Sequence, residues 1–118
     1  MDVATVGGVQ SLYVASRTDR TIYECPLQSL PINPASCIAY TLPNWQPTGV
    51  SIATVNGVPY AYVASPYRNI NTNPPIYPSV YQCTLSGQGQ VNSCSVVSTS
   101  TSSSWTPYNI IMQTIING

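Results

Sequence analysis

Val55-Asn56-Gly57-Val58-Pro59-Tyr60-Ala61-Tyr62-Val63-Ala64-Ser65 reads as two extended segments joined at an Asn-Gly pair. That dipeptide tolerates positive φ at both central positions and so closes a two-residue β-hairpin. The stretch occurs twice. Val6-Gly7-Gly8-Val9-Gln10-Ser11-Leu12-Tyr13-Val14-Ala15-Ser16 aligns with it without a gap at an offset of 49 residues, Val6 to Val55, with Gly7-Gly8 in the turn and Tyr-Val-Ala-Ser in the same register. Self-similarity of this kind marks a repeat architecture, in which each unit is one supersecondary element that cannot bury its apolar faces alone.

The alignment extends in both directions. Ile22-Tyr23-Glu24-Cys25-Pro26-Leu27 matches Val80-Tyr81-Gln82-Cys83-Thr84-Leu85, and Trp45-Gln46-Pro47 matches Trp105-Thr106-Pro107. The segment 52–57 is echoed at 3–8 and again at 113–118. Val, Ile, Thr and Tyr dominate these segments while Gly, Pro and Asn separate them, which is the composition of strands and turns. Eleven prolines argue against long helices, and no stretch keeps a helical period for three turns. Each copy therefore predicts four strands: 2–6, 11–16, 21–27 and 36–42 in the first, and 49–55, 60–65, 79–85 and 93–99 in the second. A third innermost strand is expected near 108–116.

Clean polar–apolar alternation, the mark of a sheet with one wet face, is missing. Val50, Ile52 and Thr54 share one face of their strand, and Ser51, Ala53 and Val55 share the other, with no charge on either. Small and apolar residues on both faces suit a sheet covered on both sides by other sheets, as in the blades of a β-propeller. The pattern Pro-x-Gly-x-x-Ile, Asn-Gly, Tyr-Ala-Tyr-Val-Ala-Ser, Val-Tyr-x-Cys-x-Leu, then Gly-x-x-x-x-x-Cys resembles the YVTN-type β-propeller repeats of secreted bacterial proteins, over nearly the whole chain. This sequence has Tyr-Val-Ala-Ser where that family has Tyr-Val-Thr-Asn or a close variant. The resemblance implies four-stranded blades with paired cysteines on adjacent outer strands, and it implies no catalytic residue. The expected fold is all-β: one domain of two antiparallel propeller-type blades, about 1–48 and 49–107, with a surplus innermost strand at 108–118. Propellers contain four to eight blades. Two leave broad faces open, so completion by association of chains, in a ring or a filament, is expected.

Composition limits the function. The chain has 118 residues, three basic (Arg17, Arg20, Arg68) and three acidic (Asp2, Asp19, Glu24), no Lys, no His and zero net charge. A basic footprint for nucleic acid is absent, and no apolar run reaches the ~20 residues of a membrane helix. The opening residues carry no basic start followed by an apolar core, so the export route is not written there. Four cysteines permit three pairings. Cys25 is equivalent to Cys83 and Cys37 to Cys94, so the repeat selects Cys25–Cys37 with Cys83–Cys94. The alternative is four reduced, buried thiols. Disulfides place the chain in an oxidising compartment, secreted or on a cell surface. No CxxC pair favours zinc, and no cofactor is expected.

Candidate contact residues follow from the same map. Trp45 and Trp105 occupy equivalent loops, either as exposed indoles stacking on sugar rings or as wedges between sheets. Arg17, Arg20, Asp19 and Glu24 gather nearly all the charge within eight residues, either as contacts to a glycan or partner chain or as a solvated turn with weak ion pairs. The inserted loop after residue 65 carries Tyr67, Arg68 and Tyr77, which could bind a ligand or a neighbouring subunit. The Ser/Thr run at 98–104 reads as a polar loop. Nucleophilic hydrolysis needs a base beside the nucleophile; without His or Lys, and with three carboxylates, no catalytic set emerges. The expected role is a non-enzymatic, self-assembling extracellular or surface protein whose partners are copies of itself. The alternative is a lectin built as a ring of chains.

Overall fold

A computed structural model describes residues 1–27 and 34–99. The expected strand at 108–118, Trp105 and most of the Ser/Thr run lie outside the described residues. The described chain forms two four-stranded antiparallel sheets in sequence order. The first contains β1 (Asp2–Val6), β2 (Val9–Ser16), β3 (Thr21–Pro26) and β4 (Ile38–Thr41), with a short 3-10 turn at Pro34–Ser36 before β4. The second contains β5 (Gly49–Val55), β6 (Val58–Ser65), β7 (Ser79–Leu85) and β8 (Val91–Thr99). No helix of the described residues is long and apolar enough to cross a membrane.

The hairpins form as their turn residues dictate. Gly7 and Gly8 have φ of 58° and 81°, and Asn56 and Gly57 have 51° and 81°, so Val6 pairs with Val9 and Val55 with Val58. These turns set the register of everything outward. Tyr13 stands between Asp2 and Glu24, and Tyr62 holds the matching place between Ser51 and Gln82. Both expected disulfides are present, Cys25–Cys37 and Cys83–Cys94. The fourth strands depart from expectation: β4 starts after its cysteine, at Ile38, whereas β8 starts before its own, at Val91. β8 is longer because two register shifts, between Val80 and Tyr81 and between Thr84 and Leu85, let it stay paired with β7.

The sheets meet face to face, with β5 lying against β1 and β2. Tyr13 and Ile22 from the first sheet, Val50, Ala61, Val63 and Cys83 from the second, and Trp45 from the connection form one buried cluster. Each large apolar side chain buried there contributes about 1.5–3 kcal/mol. Trp45 packs edge-on against Tyr40 of β4 at 6.2 Å and Tyr81 of β7 at 5.3 Å between ring centres.

Candidate functional site

The contact between the sheets is polar as well as apolar, and its polar groups reach across. The Tyr13 hydroxyl donates to the Gly89 carbonyl at 2.7 Å, in the turn between β7 and β8. The Ile52 N–H of β5 donates to Oδ2 of Asp2 at 2.7 Å. Ser11 donates to the carboxylate of Glu24, and both are buried, Glu24 at 2% exposure. Burial, aided by the negative charges of Glu24 and Asp2, pushes the Tyr13 phenol up to about 12. Close packing is required at two glycines. A Cβ on Gly7 would overlap the Gly87 carbonyl, and one on Gly89 would press on the Tyr13 hydroxyl and Val6.

The charged turn between β2 and β3 braces the connection between the sheets. Arg20, at φ 56°, donates from its guanidinium to the Pro43 carbonyl at 2.6 Å, and its own carbonyl accepts the Trp45 indole N–H at 2.6 Å. Arg17 Nε donates to the Gln46 side chain at 3.1 Å, and Gln46 N–H donates to Ser65 Oγ at 2.9 Å. Asp19 accepts from the Tyr23 hydroxyl at 2.9 Å, which raises the Tyr23 phenol above its ordinary value.

These contacts separate residues that the sequence grouped together. Glu24 does not join Arg17 and Arg20 on an exposed turn; it lies on the opposite side of the strand from Tyr23, in the contact between sheets. Period-two alternation along β3, which puts Glu24 on the face of Ile22, was the signal for this. Trp45 is fully buried, so it acts as a wedge and presents no indole to a ligand. Asp2, Ser11 and Tyr13 were not singled out from sequence, although their registry with Glu24 follows from the hairpin.

The inserted loop 66–78 forms a second feature. Asn69 and Ile76 pair through two backbone hydrogen bonds of 2.8 Å. Arg20 lies over the Tyr67 ring at 5.9 Å and Arg68 over the Tyr77 ring at 5.6 Å. The loop borders a cleft of about 280 Å3 lined by Asn44, Pro74, Pro75, Tyr77, Ser79 and Tyr81, among others. Burial raises the Tyr81 phenol. The lining offers rings, hydroxyls and an amide, and none of the described lining residues is charged at neutral pH.

No protein-family model, no curated protein and no solved structure matches this chain.

Proposed function

We propose that the chain is a non-enzymatic structural protein of an oxidising, extracellular or cell-surface setting, and that it works by self-association of propeller-type repeats. One observation carries the reading: each sheet has one face in the shared core and one face that no described sheet covers. Val3 on the outer face of the first sheet is 48% exposed, and Val55 on that of the second is 39% exposed. Two disulfides within about a hundred residues support the oxidising setting. Sedimentation velocity over a concentration series tests the proposal. Species heavier than one chain that grow with concentration are expected at micromolar protein, and a stable monomer throughout overturns it.

The cleft beside Tyr77 favours a second reading, a neutral-sugar site. Aromatic rings and uncharged hydrogen-bonding groups are the equipment for sugar rings, and the Arg68 contact holds the Tyr77 ring in place. Glycan-array binding that disappears in Tyr77→Ala, with sedimentation unchanged, selects this second reading.

A further inference from the structure

The repeat assigns the two outer faces to each other. In the contact between sheets, the second sheet presents Ile52, Ala61, Val63, Tyr81 and Cys83, which share one face by register. Their counterparts in the first copy are Val3, Leu12, Val14, Tyr23 and Cys25. These also share one face, and it is the face turned away from the second sheet. Conversely, the first sheet presents Ala4, Ser11, Tyr13, Ala15 and Ile22 to the core, and their counterparts Ala53, Tyr60, Tyr62 and Val80, half-buried, and Ala64, already buried, share the other face of the second sheet. Each outer face is therefore built on the template of one side of the existing contact, and the two are templates of opposite sides.

We infer that a second copy of this chain docks head to tail, the outer face of its β1–β4 sheet against the outer face of this chain's β5–β8 sheet, repeating the contact already present within the chain. The inference rests on the self-association proposed above and adds its polarity. The chemistry agrees with the assignment. The face bearing Leu12 and Val14 is apolar and carries the Cys25–Cys37 bridge where the internal contact carries Cys83–Cys94. The opposite face presents Tyr60 and Tyr62, with rings 6.4 Å apart, and Gln82, which donates to the Tyr62 hydroxyl at 2.9 Å. Tyr62 takes the place of Tyr13 and Gln82 that of Glu24, so polar groups stand at the same register positions with no carboxylate among them. A face that joins the opposite face of the next copy makes a heterologous contact. Such a contact closes into a ring if the rotation per chain divides a circle and grows into a filament if it does not. Pairing through one face alone, like with like, would instead stop at a dimer.

Two variants of the full chain decide the polarity. Leu12→Arg/Val14→Arg places charge on one outer face and Tyr60→Arg/Tyr62→Arg on the other; circular dichroism and thermal melting of each, in dilute solution, establish that it folds. If either double variant fails to fold, the single changes Val14→Arg and Tyr62→Arg replace it. An unpaired charge in an apolar contact weakens association on the order of 100-fold. The expected result is that wild type assembles, each variant alone sediments as a monomer, and the two mixed form a 1:1 dimer through their intact faces. A variant that still self-associates, or a mixture that stays monomeric, overturns the head-to-tail polarity while leaving assembly standing. A monomeric wild type overturns both.

Discussion

At the scale of single residues, the contact between the sheets is held by side chains whose chemistry can be tested individually. Tyr13 is the clearest. Its phenol is raised to about 12 by burial and by the neighbouring carboxylates, whereas in the unfolded chain it ionises near 10. Below pH 10 both states keep the proton and its contribution is complete. Between 10 and 12 the unfolded chain releases the proton first, so stability falls as pH rises. Urea unfolding between pH 8 and 11.5 should show this fall, and Tyr13→Phe should flatten it; Tyr81 and Tyr23, also raised, keep part of the slope. At pH 7 the same variant should lose about 1–2 kcal/mol, because the Gly89 carbonyl loses its donor. Trp45 is the second test. As a buried wedge, Trp45→Ala should destabilise by about 3–5 kcal/mol in chemical denaturation, where an indole displayed to solvent would change little. The repeat made Trp45 conspicuous without revealing its role, since a ligand site and a packing wedge both recur once per unit. Gly7 shows the same limit. Its φ was legible from the turn, but its counterpart is Asn56, and only the Gly87 carbonyl lying against Gly7 explains why a side chain is excluded at one turn and accepted at the other.

At the scale of elements, strand order, hairpin register and cysteine pairing were all readable, because each depends on local turn chemistry or on the comparison of one copy with the other. What was not readable depends on contacts between distant segments. The register shifts of β8 and the Asn69–Ile76 pairing of the inserted loop have no counterpart in the first copy, so the repeat could not announce them. The two disulfides are equivalent in sequence and sit on opposite faces: Cys83, fully buried, belongs to the core between sheets, and Cys25, also buried at 6% exposure, lies on the face of its sheet turned away from that core. Each closes a short loop and constrains the unfolded chain by about 3 kcal/mol. Replacing Cys25 and Cys37 by Ser should therefore destabilise by about that amount. Replacing Cys83 and Cys94 by Ser should cost about 1–3 kcal/mol more, because a hydroxyl at position 83 is enclosed in the apolar cluster between the sheets, to which position 25 does not belong. Denaturation of the two double variants measures the difference, and equal losses would place both bridges in equivalent surroundings.

At the scale of the whole molecule, the described chain is one contact between two similar sheets, each with a second face that no described sheet covers. The composition shapes how that contact can work. With six charged side chains in the full sequence, little long-range repulsion opposes the approach of like chains, and specificity falls to shape, to hydroxyls and to the row formed by Asp2, Tyr13 and Glu24 or by Ser51, Tyr62 and Gln82. Neither described bridge joins one sheet to the other; one ties β3 to the residue just before β4, and the other ties β7 to the body of β8. Stretched between its ends, the molecule would part at the sheet-to-sheet contact and pay out the connector through Trp45, while the two closed loops, spanning 12 and 11 residues, stay locked. At roughly 3.5 Å per residue that withholds about 8 nm of extension until a reductant is added, so a fibre of such chains would yield in two stages, with the second under redox control.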